Sequence, residues 1–109
     1  MIDEREIRSV CRRIVRNFKP DKVILFGSYA YGSQTEDSDI DLLVILPFEG
    51  KSFRKSVEIL NRVNPPFAID LIVRQPDDVE RRYRQGDPLV GEALDRGKVL
   101  YERSNTRVD

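Results

Sequence analysis

The chain has 109 residues, with 19 basic and 19 acidic side chains and a hydrophobic fraction of 39%. This length predicts one domain, 1–109, and the zero net charge argues against a dedicated nucleic-acid-binding protein, so no direct nucleic-acid contact is expected. A single cysteine, Cys11, excludes an internal disulfide, and the absence of histidine excludes His-ligated zinc and catalysis by Ser-His or Cys-His pairs.

The N-terminus lacks the features of a targeting segment. Residues 3–6 are all charged, where a signal peptide would need an apolar run. No stretch of about 18 uninterrupted apolar residues occurs, as a membrane-spanning helix would require. We therefore expect a cytoplasmic protein with no membrane segment.

Residues 3–18 show the periodicity of an amphipathic helix, which Pro20 ends. Its apolar stripe consists of Ile7, Val10, Cys11, Ile14 and Phe18. Because Cys11 lies within this stripe, we interpret it as a buried hydrophobe and not as a reactive thiol. The opposite face is rich in arginine, which is typical of a solvated face but also suits an acidic partner or a phosphate backbone.

A short strand, Lys22–Phe26, leads directly into Gly27-Ser28. Gly27 permits a tight turn and a close approach of the backbone to a ligand. Ser28 is predicted to be the N-cap of a brief helix over 29–32, whose free N–H groups would face an anion at the turn. The alternative is a turn with a purely structural role.

A second apolar strand opens with Asp39-Ile40-Asp41 and runs to Leu46. Side chains alternate along a strand, so Asp39 and Asp41 project from the same side, about 7 Å apart at the backbone. The rest of the strand is apolar on both faces, which predicts burial. Two charges at the mouth of a buried strand need neutralisation, and Mg²⁺ held by carboxylates and phosphate oxygens would supply it.

The third strand, 67–73, follows an amphipathic helix over 52–63. The helix is expected to bury Phe53, Val57, Leu60 and Val63. The strand is apolar except for Asp70, and a charged residue there is expected to be paired or to bind metal, or else to lie on a wet or edge face.

The remaining elements complete a layered structure. A helix is predicted from Pro76 to about residue 86, a shorter helix over 89–94 with Gly97 as its C-cap, and a last strand over 98–101. The polar tail from Glu102 onward is expected to fray. The fold class is thus α/β (α+β), with a small mixed sheet of about four strands flanked by helices.

The ordered set of Gly27-Ser28, ten intervening residues, Asp39-x-Asp41 and a later Asp70 in a neighbouring strand resembles the nucleotidyltransferase superfamily of the DNA polymerase β type. The short chain, the run DSDIDLLVI and the ending VLYER are most similar to the minimal nucleotidyltransferases (MNT) that accompany HEPN-domain toxins. The resemblance covers about residues 22–101 and implies a polymerase β-like nucleotidyltransferase fold.

The resemblance implies transfer of a nucleoside monophosphate from ATP, with pyrophosphate leaving. Gly27 and Ser28 would hold the triphosphate, and Asp39, Asp41 and Asp70 would be catalytic residues that hold two Mg²⁺ ions, for which Mn²⁺ can substitute. Asp70 would complete the ion that activates the attacking hydroxyl, or act as its base. Three clustered carboxylates repel one another, so one of them should have a raised pKa without metal.

One position departs from the family pattern. Family members often read GSxARG at the turn, whereas here Tyr31 precedes Gly32, so a basic side chain near the phosphates is missing. Tyr29 and Tyr31 are either packing residues or platforms on which a base stacks.

The leading functional hypothesis from the resemblance is an antitoxin that transfers AMP to a tyrosine of a HEPN RNase toxin, in a complex with that partner. One alternative is an antitoxin that neutralises its partner by binding alone. Another is a small-molecule transferase of the antibiotic-modifying kind.

Overall fold

The computed structural model describes residues 1–104. In chain order the elements are α1 (Glu4–Phe18), β1 (Lys22–Phe26), α2 (Ser28–Tyr31), β2 (Ile40–Ile45), α3 (Ser52–Val63), β3 (Ile69–Arg74), α4 (Pro76–Arg84), α5 (Pro88–Arg96) and β4 (Lys98–Glu102). No helix in these residues has both the length and the apolar character needed to cross a bilayer. The tail was expected to fray from Glu102 onward, but Glu102 ends β4 and the Arg103 N–H donates to the carbonyl oxygen of Asp21 at 2.8 Å. Residues 105–109 lie outside the described residues.

The four strands form a mixed sheet in the order β3-β2-β1-β4. Strand β1 pairs antiparallel with both β2 and β4, whereas β2 and β3 are parallel. The parallel pair needs a crossover connection, which α3 supplies. The predicted fold class, a mixed sheet of about four strands flanked by helices, is confirmed.

Helices α1 and α3 cover one face of the sheet and form the larger core. Helix α1 begins with a capping box in which the Asp3 carboxylate accepts from the Arg5 N–H at 2.8 Å and the Asp3 N–H donates to Glu6 at 3.2 Å. As predicted, Cys11 lies in the buried stripe, and burial raises the pKa of its thiol to about 11. A thiol that stays protonated at neutral pH is a poor nucleophile, which supports the structural interpretation.

Helices α4 and α5 cover the other face and form a smaller core. Alternate residues of β1 and β2 feed the two cores, so that Leu42 belongs to the larger one and Leu43 to the smaller one. The buried residues of the smaller core are Ile24, Phe26, Leu43, Ile45, Val79, Val90 and Ala93.

The predicted buried side of α3 is wrong at two positions. Phe53 is 76% exposed and Val57 39% exposed. The helix instead rests on a line of Ser56, Ile59 and Val63, which is rotated from the predicted line. Ser56 is tolerated at this interface because its hydroxyl donates to the carbonyl oxygen of Phe53 at 2.7 Å.

Candidate functional site

The turn after β1 brings the backbone against a carboxylate of β2. Gly27 has φ 75° and ψ −162°, a conformation that only glycine adopts readily. A Cβ at this position would clash with Oδ2 of Asp41. The sequence predicted a close approach of the Gly27 backbone to a ligand, and the structure shows a close approach to the Asp41 side chain.

The short helix α2 begins one residue earlier than predicted, and Ser28 is not its N-cap. Gly27 takes that position, and its carbonyl oxygen accepts from the N–H groups of Ala30 at 3.0 Å and Tyr31 at 3.3 Å. The extended, positive-φ conformation of Gly27 starts the helix at once, which leaves the Ser28 side chain without a capping role. Gly32 ends the helix with φ 77°, as expected.

Asp41 and Asp70 lie side by side in the parallel pair β2 and β3. Both project from the face of the smaller core, because they alternate with Leu42 and Leu71 of the larger one. Asp41 is half-buried, whereas Asp70 is exposed on the edge strand β3. Of the two alternatives for Asp70, the position on an edge strand is correct, and this position nevertheless places it beside a second carboxylate.

Asp39 lies at the rim of this pair. It precedes β2 by one residue and is exposed, so the strand begins at Ile40 and not at Asp39 as the sequence suggested. Within residues 1–104, no three acidic, cysteine or histidine side chains are drawn together into a ready-made metal cluster. The fold therefore brings Asp41 and Asp70 together and leaves Asp39 outside this pair, at its exposed rim.

The environment of Asp41 disfavours its charge. Burial, the neighbouring Asp70, and the more distant Asp39 and Glu92 raise the pKa of Asp41 from 3.8 to about 6. The prediction that one of the clustered carboxyls has a raised pKa without metal is thus confirmed. A divalent cation would relieve this repulsion, and carboxylate oxygens are the ligands that Mg²⁺ prefers, so the donor set fits such an ion.

Helix α5 adds side chains to the site that the sequence did not point to. Glu92 acts on the pKa of Asp41 across the face of the smaller core. The guanidinium carbon of Arg96 lies 4.2 Å from the centroid of the Tyr31 ring. Helix α5 follows Asp39-x-Asp41 by about fifty residues in the chain. A Glu and an Arg four residues apart on a helix ordinarily form a surface ion pair. No local signal could have found them.

The two tyrosines of α2 have different surroundings. Tyr29 packs against the larger core, and its hydroxyl accepts from the Ile2 N–H at 3.2 Å, which supports the packing interpretation. Tyr31 lies under Arg96. Its hydroxyl is shielded from solvent and near Glu92, yet makes no hydrogen bond of normal geometry to any of the described residues.

The family model described as the nucleotidyltransferase domain matches residues 5–100. The chain belongs to this nucleotidyltransferase family. Two relatives from Methanocaldococcus jannaschii, both named as candidate protein adenylyltransferases, are 34% identical over 89 residues and 33% identical over 75 residues. The matches cover 76% and 63% of this nucleotidyltransferase, and 59% and 76% of the relatives. The match to the first of these relatives thus spans less than two-thirds of that relative's length.

Solved structures show the same fold at low identity. A nucleotidyltransferase-type protein of Sulfolobus solfataricus superposes with a TM-score of 0.65 at 19% identity, over 93% of this chain and 81% of that one. A toxin-antitoxin structure with AMP-PNP gives 0.57 at 19%, over 89% and 74%. A complex of a tri-AMPylated Shewanella oneidensis HEPN toxin with its MNT antitoxin gives 0.53 at 16%, over 93% and 74%. The family model confirms the nucleotidyltransferase assignment from the sequence, and these structures confirm the fold.

Proposed function

We propose that this nucleotidyltransferase is an antitoxin that transfers AMP from ATP to a tyrosine of a HEPN-domain RNase toxin. The observation that carries the proposal is the pair Asp41 and Asp70, set side by side under the Gly27 turn. Support for the acceptor class comes from the relatives named for protein adenylylation and from fold neighbours in toxin-antitoxin complexes, one of them AMPylated.

We assign a role to each residue of the site. Gly27 and Ser28 form the turn that we assign to the triphosphate, since the missing Cβ at Gly27 lets this turn lie directly against Asp41. Asp39, Asp41 and Asp70 would hold two Mg²⁺ ions, for which Mn²⁺ could substitute. When bound, these ions offset the charge of the phosphates and lower the pKa of the acceptor hydroxyl.

The transfer is an in-line displacement. The tyrosine oxygen forms a bond to the α-phosphorus, the bond from that phosphorus to the bridging oxygen of the β-phosphate breaks, and pyrophosphate leaves. Asp70 is exposed at the sheet edge, so it is placed to orient the incoming hydroxyl and take its proton. A tyrosine suits this site because its pKa of about 10 needs less lowering than that of serine or threonine.

The acceptor reaches the site from outside, since both Asp39 and Asp70 are exposed. A partner protein that docks on this chain can supply the nucleophile and its orientation together, which makes the attack effectively intramolecular. A macromolecular acceptor therefore fits this open site.

Helix α1 carries the basic surface that is less offset by ion pairs. It lies on the face of the sheet opposite Asp41 and Asp70, so the partner would have to extend around the sheet edge to reach them. A groove of about 410 Å³ lies between α1 and β4, lined by Arg8, Cys11, Arg12, Val15, Arg16, Leu100 and Tyr101. Arg12 and Arg16 form no ion pair with residues in 1–104. Unpaired arginines beside an apolar floor suit an acidic partner surface.

The second basic run, on α4, is a weaker docking candidate. Arg81 and Arg82 both pair with Asp78, and Arg84 pairs with Glu80 at 3.6 Å. Their charges are largely offset within the helix.

The test is to incubate the chain with its HEPN partner, ATP and Mg²⁺ and to weigh the partner by intact mass. The wild type is expected to add one or more AMP units, and Asp70→Asn none. Asp37→Asn, which changes an exposed carboxylate in the loop before β2, is the matched control and should transfer normally. If the partner's mass stays unchanged while its RNase activity is blocked by a stoichiometric complex, neutralisation is by binding alone and the transferase proposal fails.

A further inference from the structure

We propose that the Arg96 guanidinium binds the phosphates of the nucleotide and that the Tyr31 ring, on which it stacks, holds this guanidinium in position. The inference deepens the proposed function and rests on it, since it assigns the cation that receives the triphosphate at the same site. It is carried by the placement of α5, the stacking of Arg96 on Tyr31 and the charges around the site.

The end of α5 is held tightly against β1. A Cβ at Gly97 would lie 3.0 Å from the Leu25 carbonyl oxygen and would meet Ile24 and Ala93 more closely still. Arg96 precedes Gly97 directly, and β1 leads directly into Gly27. The contact therefore fixes the backbone of Arg96 beside the strand that carries the phosphate-binding turn.

The side chain of Arg96 lies over the ring of Tyr31, with 4.2 Å between the guanidinium carbon and the ring centroid. Tyr31 is the last residue of α2, one short turn from Gly27. A guanidinium that stacks on an aromatic face keeps its in-plane N–H groups free for an anion, and this geometry suits phosphate oxygens. The stack thus orients a donor next to the turn.

The charge of Arg96 is not offset by an ion pair within residues 1–104. Arg81, Arg82 and Arg84 of the preceding helix all form ion pairs, whereas Arg96 forms none with any described residue. Even Glu92, one turn before it on α5, is not bridged to it. Arg96 is exposed, so its donors are open to a ligand.

The side chains that act on Asp41 are negative, so a cation of the chain would add to the divalent ions in offsetting the charge of a triphosphate. Asp39, Asp70 and Glu92 all raise the pKa of Asp41 and therefore act as negative neighbours. A triphosphate brings further negative charge into the same region. An arginine offers charge-assisted, bidentate hydrogen bonds to phosphate oxygens, which are about twice as strong as neutral ones.

The first experiment measures ATP and AMP binding by calorimetry, with Mg²⁺ present. Arg96→Ala should weaken ATP binding by about tenfold or more, because a charge-assisted contact to phosphate is lost. AMP binding should change less than about threefold, since AMP lacks the β- and γ-phosphates. Arg84→Ala, which removes an exposed arginine of α4, is the matched control and should leave both affinities within twofold. If Arg96→Ala lowers the melting temperature, Arg96→Gln replaces it.

The second experiment tests the stack and the position of the charge. Tyr31→Phe retains the ring and should bind ATP as the wild type does, whereas Tyr31→Ala should weaken binding, since the guanidinium is no longer positioned. The double variant Tyr31→Arg with Arg96→Ala places an arginine at the end of α2 and should recover most of the ATP affinity. A purely structural role for Arg96 would not be rescued in this way.

The outcomes separate the two proposals. If the wild type binds ATP and Arg96→Ala binds it within twofold, or if ATP and AMP weaken equally, the assignment of Arg96 is wrong and the proposed function stands. If the wild type binds no ATP with Mg²⁺ present, both proposals fail.

Discussion

The two faces of the sheet are built from the same strands, but they differ in the number of buried residues and in the presence of carboxylates. Leu42 and Leu43 are neighbours in β2 and both are fully buried, yet they lie in different cores. The face under α1 and α3 holds fourteen buried residues, and the face under α4 and α5 holds seven. Only the second face continues into the carboxylates Asp41 and Asp70.

The difference shows how a small sheet carries a charged site. Strand alternation assigns Leu42 and Leu71 to the larger core and Asp41 and Asp70 to the other face, where the smaller core covers only part of the strands. Repulsion between carboxylates is tolerated because the stabilising burial lies on the other side of the same strands. Stability and chemistry are therefore separable by substitutions one residue apart.

The largest expected effect is on chemistry. Changing Asp39 and Asp41 together to Asn should reduce the proposed AMP transfer below detection by intact mass, because two of the proposed ligands for the divalent ions are lost. The melting temperature in metal-free buffer should not fall, since removal of like charges relieves repulsion. A large loss of metal-free stability would instead mark these aspartates as structural and would remove the contrast between the faces.

The second prediction compares the two cores directly. Leu42→Ala should cost about 3–5 kcal/mol in the free energy of unfolding and Leu43→Ala about 2–3 kcal/mol, because a large core collapses less readily around a cavity. Urea denaturation of both variants under the same buffer measures the difference. If Leu43→Ala proved the more destabilising, the face with the site would be the main source of stability.

The third prediction concerns the close approach at the turn. Gly27→Ala should cost about 1–3 kcal/mol from backbone strain alone, and more because the new methyl group meets Asp41. Gly86→Ala is the control, since Gly86 also has a positive φ of 79° but has open space around it. Thermal unfolding of both variants should show the greater loss for Gly27, and equal losses would mean that Asp41 moves away freely.

The smallest expected effect is a pH dependence. The pKa of Asp41 is about 6 in the folded chain, against an ordinary value of 3.8, so the folded state holds this proton more tightly than the unfolded state does. The contribution of Asp41 to stability is therefore fully present below about pH 4 and is lost as the pH rises through about 6.

Urea denaturation in chelator, at several pH values, tests this effect with Asp41→Asn as the reference. The variant should gain stability relative to the wild type as the pH rises from about 4 to 7, since Asn cannot acquire the unfavourable charge. A difference that stays constant across this range would show that Asp41 does not titrate with a raised pKa.

Local patterns were enough to predict most of the elements and part of the site. The period of the apolar residues located α1 and α3, and strand alternation placed Asp39 and Asp41 on one side. Gly27 was predicted to allow a close approach of the backbone, and Asp70 stood out as a charge in an apolar strand. These signals need no knowledge of the distant parts of the chain.

The rotation of α3 and the membership of α5 in the site depended on packing. Phe53 fits the apolar period, but the helix rests on the line through Ser56 and Ile59. Likewise, Ser28 is a good N-cap by type, yet the backbone of Gly27 already fills that role. Both outcomes depend on the geometry of neighbouring elements, which a local pattern does not contain.

The sequence by itself determined that this chain carries a nucleotidyltransferase motif, made of a Gly-Ser turn and of aspartates in apolar strands. Both parts can be read from the sequence because turn chemistry and the two-residue period of a strand are local properties. Only the tertiary structure decided that Asp70 stands beside Asp41 and that Arg96 lies over Tyr31. The parallel register of β2 and β3 and the contact of Gly97 with β1 join residues far apart in the chain. Such contacts follow from how the layers pack around the sheet, and no short segment of the sequence encodes them.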